Sequence, residues 1–205
     1  MTSLVVLLCL IGADTPLSAV LIEGEGWKED KDTLLDIGLP EWSVAKDGSI
    51  RRSTLKGVVF AEGPALVWPK KGETFGPCAV SPGGGKLVVA VPSHHHLYVF
   101  RIGADGKLSA QEKCYVLRKE KPGRGGSGVS SLAFDSKGRL WAAVPEGVAY
   151  FDEEMRFSGM LSRPVRAEVT HLLGFGGEKG DELFILCGGK RWKRKVKATG
   201  AKPAG

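Results

Sequence analysis

The chain has 205 residues and 42% hydrophobic content, the size of one domain with or without a tail and enough apolar material for a core. Its 29 glycines, and the lack of any window with apolar residues sustained at i, i+3, i+4 and i+7, argue against a helical bundle and for short strands joined by tight turns. Four widely spaced cysteines with no C-x-x-C pair argue against a zinc knuckle or disulfide framework. The formal charge of +6 lies largely in Lys190 to Lys197, which alternates as a half-exposed strand does and calls for no nucleic-acid partner.

In chain order, residues 1–19 come first, with an apolar stretch from Leu4 to Ala13. It is too short to span a bilayer, so no membrane span is expected. Followed by Leu17-Ser18-Ala19, a small-residue cleavage site, it reads as a secretory signal, although no Lys or Arg precedes it. The expected location is periplasmic or extracellular; the alternative is a cytoplasmic protein in which this stretch is a buried first strand. Residues 20–40 include the acidic, weakly patterned run from Glu23 to Asp36, read as a linker.

Residues 41–197 carry the strands. Glu41 to Ile50 reads as strand–turn–strand around Asp47-Gly48, with Val58-Val59-Phe60 and Ala65 to Trp68 as two outer strands. Three later segments then repeat one pattern of strand, Gly-rich charged turn, and apolar strand: Cys78 to Val91, Leu132 to Val144, and Leu173 to Cys187. The first two continue alike through His96 to Arg101 and Gly147 to Asp152. A repeat of roughly 40 to 55 residues is that of β-propeller blades, each of four antiparallel strands, A to D, running outward from a central axis. Inner strands sandwiched between neighbouring blades are apolar on both faces, as Lys86 to Val91 and Arg139 to Val144 read. The fold class is therefore all-β, a propeller with three clear blades and one less well marked, followed by a tail at 198–205.

The second half resembles the family of gluconolactonases, senescence marker protein and luciferin-regenerating enzyme. The resemblance is carried by Ala79-Val80-Ser81-Pro82-Gly83-Gly84-Gly85-Lys86-Leu87, by Ser127 to Leu140, by Gly147-Val148-Ala149-Tyr150-Phe151-Asp152, and by Val169-Thr170-His171 with Phe175-Gly176-Gly177, over about residues 75–196. It implies a six-bladed propeller that hydrolyses sugar lactones with a divalent metal, calcium or zinc, in the central mouth. A full ring needs more chain than this. Either blades are missing, or the N-terminal part has diverged, or copies associate to complete the ring.

The family's catalytic Asp, a metal ligand and general base, aligns with Ser130, and its metal-binding Asn with Gly76. A neutral hydroxyl does not act as a carboxylate base, and glycine offers no side-chain ligand. The family's metal-binding Glu matches Glu62 of Glu62-Gly63-Pro64 in letters, though its spacing puts it between outer strands. Blade geometry adds a separate set. The B–C loops share a face with the starts of the A strands, so Pro92 to His96 and Glu146 join Gly76, Ser130 and His171 at one mouth. His95 and His171, with Glu62, are the candidate metal ligands, because imidazole and carboxylate suit a divalent ion. His94, His96 and Glu146 are the candidate substrate contacts. The plain alternative is that the loop histidines are simply solvated.

Overall fold

The computed structural model describes residues 16–31, 42–44, 50–54, 57–60, 76–91, 93–104, 108–115, 117 and 128–201. A single helical turn, α1 (Leu17–Val20), leads to β1 (Lys28–Glu29). The first blade follows as β2 (Trp42–Val44), β3 (Ile50–Thr54) and β4 (Gly57–Phe60). The second is β5 (Cys78–Val80), β6 (Lys86–Val89), β7 (Leu97–Ile102) and β8 (Leu108–Cys114). The third is β9 (Ser131–Phe134), β10 (Leu140–Val144), β11 (Gly147–Phe151) and β12 (Phe157–Ser162). The last is β13 (Thr170–Gly176), β14 (Glu182–Cys187) and β15 (Lys190–Lys195).

Each blade is an antiparallel meander, as the repeat predicts. The less well marked first blade is present as three paired strands; Ala65 to Trp68 lie outside the described residues. The inner strands β2, β5, β9 and β13 neighbour one another in chain order. Alternation along β10 shows why its sequence is apolar throughout. Leu140, Ala142 and Val144 pack towards the second blade with Val88, Leu97 and Val99. Trp141 and Ala143 pack towards the last blade with Leu173, Leu183 and Ile185. A strand buried on both faces has no polar side to show.

Two turns of the third blade use one device. Asp135 Oδ1 accepts the backbone N–H groups of Lys137 (3.0 Å) and Arg139 (3.1 Å), while Oδ2 accepts Arg139 Nε at 2.7 Å and Trp141 Nε1 at 3.2 Å. Asp152 repeats it with Glu154 N, Arg156 N and Arg156 Nε, at 3.0, 2.9 and 2.9 Å. In both, the fourth turn residue has a left-handed backbone: Gly138 at φ 81° and Met155 at φ 67°. An Asp that bonds its own turn is the physical content of the charged, Gly-rich turns.

The ends of the described chain are more structured than their sequence suggests. Residues 20–40 read as a linker, yet β1 pairs with β15 as the outermost strand of the last blade. Asp30 pairs with Arg191 at 2.5 Å, both nearly buried, and Glu29 with Lys190 at 3.0 Å. Val20 is buried in the core between the last two blades, and its carbonyl accepts Lys197 N. Residues 198–201, read as tail, run back to the β9–β10 turn, where Ser136 Oγ and Thr199 Oγ1 are 2.8 Å apart. The basic run is largely met by acids: Lys193 lies 3.8 Å from Glu182 and Lys195 lies 3.7 Å from Asp181. No helix among the described residues is long and apolar enough to cross a membrane.

Candidate functional site

Strand pairing places the A-strand starts and B–C turns at one end of the second, third and last blades, as the blade geometry predicts. In the second blade, Gly76 N donates to Ala90 O, just before the turn that carries His94 to His96. In the third, Ser130 N donates to Ala143 O, next to the Pro145-Glu146 turn. In the last, Thr170 faces Cys187 in register, next to the Gly188-Gly189 turn. A bulge between Thr170 and Leu173 starts β13 earlier than its apolar run implies, so His171 lies within the strand and its side chain is exposed.

Ser130 is tied down by its hydroxyl. Around Oγ stand three backbone carbonyls: His171 O at 2.5 Å, Thr170 O at 3.3 Å and Ala143 O at 3.4 Å. Its proton is therefore donated to a carbonyl, and its contact with His171 is through the main chain. Ser131 does the same one residue on, donating to Leu173 O at 3.2 Å. Two neighbouring hydroxyls thus fasten β9 to β13. This is a positioning role, and an oxygen whose proton goes to a peptide carbonyl is not activated as a nucleophile.

The histidines divide into two places. His94 Nδ1 and Tyr98 Oη share a hydrogen bond of 2.8 Å, and the His94 and His96 ring centres are 5.3 Å apart. His96 stands edge-on to Tyr98 at 4.9 Å, and its Nε2 is buried without a hydrogen-bond partner among the described residues. Burial, then the charges of Lys113, His94 and His95, push His96 below the usual imidazole range. His95 is exposed, and its carbonyl accepts Leu117 N at 2.8 Å. Tyr98 sits with Cys78, Val89 and Phe100 on the face of the second blade turned away from the third. His171 is exposed on the last blade, beside Ser130. Glu146 is half-buried, with its carbonyl accepting Arg163 N. Glu62 lies outside the described residues.

The residues at the two matched family positions do not fit a divalent ion. The Ser130 oxygen is spent on carbonyls, and Gly76 has no ligand atom. Among the described residues, no three His, Cys, Asp or Glu side chains come together in a metal-sized group. What sequence reading missed is Tyr98: it reads as one more apolar strand residue, and only the fold brings it against both imidazoles.

No protein-family model and no curated protein matches the sequence. Solved structures do match the fold. A luciferin-regenerating enzyme superposes with a TM-score of 0.54 at 17% identity, over 75% of this chain and 54% of its own. A gluconolactonase from Xanthomonas campestris gives 0.53 at 20%, over 74% and 46%. A calcium-binding protein, regucalcin, from Agrobacterium tumefaciens gives 0.54 at 17%, over 75% and 56%. The chain spans about half the length of these structures. At such identities the likeness shows the fold: the chain is built as a stretch of the propeller that gluconolactonase, luciferin-regenerating enzyme and regucalcin share.

Proposed function

We propose that the mouth of this gluconolactonase-like propeller binds a small polar molecule, with sugar lactones the class its fold favours, and that the carboxylate route to hydrolysis is lost. The observation that supports this reading is Ser130. At the position where the resemblance implies an Asp base, the hydroxyl proton is held by the His171 carbonyl. The imidazoles of His94, His96 and His171 and the carboxyl of Glu146 supply the rim with polar contacts. Export is supported by the apolar run of residues 4–13 alone, and cleavage at Leu17-Ser18-Ala19 is not part of this proposal, because Leu17 packs into the fold against Gly159.

Calorimetry with gluconolactone, run beside a hydrolysis assay with and without chelator and a metal analysis, tests this. Binding without turnover is the expected outcome. Chelator-sensitive turnover overturns it. A second reading is metal-assisted lactone hydrolysis, with His95, His171 and Glu62 as the candidate ligands for zinc or calcium; bound metal together with chelator-sensitive turnover would support it.

Ser130→Asp sharpens the choice. A carboxylate there faces three carbonyl oxygens, an arrangement that costs stability and that a cation relieves. The expected result is a lower melting temperature, partly restored by millimolar calcium in the variant and unaffected by calcium in the parent. A variant as stable as the parent without calcium would show that the carbonyls do not converge there.

A further inference from the structure

Away from the mouth, a groove of about 500 Å³ opens between the outer edge of the third blade and the N-terminal segment laid on the last. Its walls come from the end of β12 and from α1, the residues before β1, and β15. None of the inner strands contributes. Trp27, Trp192, Leu17 and Met160 supply flat and apolar surface, and Arg163 and Arg194 supply charge. The volume is that of small-molecule sites, which span roughly 300 to 1,000 Å³.

The groove is built of held parts. Trp27 Nε1 donates to Ser162 O across it at 2.8 Å, and Trp192 Nε1 donates to Cys187 O at 3.2 Å. Leu17 is seated against Gly159, where a Cβ would come within 2.8 Å of the leucine. Arg163 uses Nη1 on Pro145 O at 2.7 Å, which fixes its plane and leaves other donors of its fork. Arg194 is different. Its Nε is buried with no hydrogen-bond partner among the described residues. Glu25 is the acid whose charge acts on it; Lys28 donates to Glu25 Oε1 at 3.3 Å, and Glu25 Oε2 is itself buried with no hydrogen-bond partner among the described residues. The lining holds two guanidinium groups, and the Glu25 carboxylate, next to Gly26, is close enough for its charge to act on Arg194.

A buried donor without an acceptor is costly, more so on a charged group, unless something supplies the acceptor. Flat aromatic walls favour a flat apolar body, and a guanidinium fork favours a planar oxyanion. We propose that this groove is a second ligand site, for a small carboxylate carried on a flat apolar ring, with Arg194 as its anion contact. The site is independent of the mouth and of any lactone chemistry there.

The test uses the full chain and two probes of equal shape, 2-naphthoate and its neutral amide, 2-naphthamide, in calorimetric titrations. The acid is expected to bind at least about tenfold tighter than the amide, the worth of one charge-assisted hydrogen bond. Arg194→Gln is expected to bring the two within threefold. Lys179→Gln, which removes the same charge from an exposed turn, is expected to leave the ratio unchanged. Equal affinity of acid and amide for the parent chain would overturn the proposal, as would no binding of either, or the same ratio in the Arg194 and Lys179 variants. The comparison of the two probes on the parent needs no variant and stands even where Arg194→Gln does not fold.

Discussion

Burial weighs most on His96, and Lys113, His94 and His95 add to it, so the folded chain holds this imidazole below its ordinary range. The groups that face it are those three and Tyr98. The folded state thus binds the proton less readily than the unfolded state. Its contribution to stability is full above about pH 6.5, the unfolded value, and is lost as pH falls below that towards the folded value. Melting temperature is expected to drop between about pH 7 and 5, and His96→Gln is expected to flatten that drop. A parent and variant with parallel profiles would place the titration elsewhere. Cys78 behaves in the opposite sense, as a thiol should: burial pushes it up to about 12, which leaves it a small hydrophobe at neutral pH.

At the scale of the element, the turn that joins β9 to β10 carries more than its loop position suggests. Asp135 is fully buried and Arg139 nearly so, and the carboxylate serves four donors. Asp135→Ala leaves a guanidinium buried without its counter-charge, and the expected loss is about 3–5 kcal/mol by chemical denaturation. Gly138→Ala isolates the backbone part. A Cβ there meets nothing within 4 Å, so the cost is that of the left-handed conformation alone, about 1 kcal/mol. Met155 at the matching place in the next turn already bears that cost. These turns were legible in sequence because an Asp and a positive-φ residue leave a composition signal. The B strands were legible because burial on both faces removes the polar alternation. The strand β1 was not, since Lys28 and Glu29 have no apolar pattern: their place is set by backbone pairing to β15 and by Asp30 meeting Arg191. The rim was half legible. Topology put His94, Ser130 and Glu146 at one end of their blades, but only coordinates show that the Ser130 hydroxyl faces carbonyls and not an imidazole.

For the whole molecule, the segment 16–31 is the piece that finishes the last blade. It fills the core with Val20, covers the edge of β15, and walls the outer groove with Leu17 and Trp27. A chain beginning after Lys31 is expected to expose that edge and the buried faces beneath it. The outcome is a lower melting temperature and self-association visible by light scattering, while a chain equally stable and monodisperse would show the segment to be dispensable. The same pairing sets a timetable. Lys190 follows its partner Glu29 by 161 positions. At about 5–20 residues per second, a ribosome needs roughly ten to thirty seconds to make the distance between them. Throughout that interval the N-terminal strand has no sheet to join, and the blade that receives it does not yet exist. The strand β1 is made long before it is used, so anything that holds this segment extended and unpaired, on the ribosome or in a translocation channel, acts on a late step of folding.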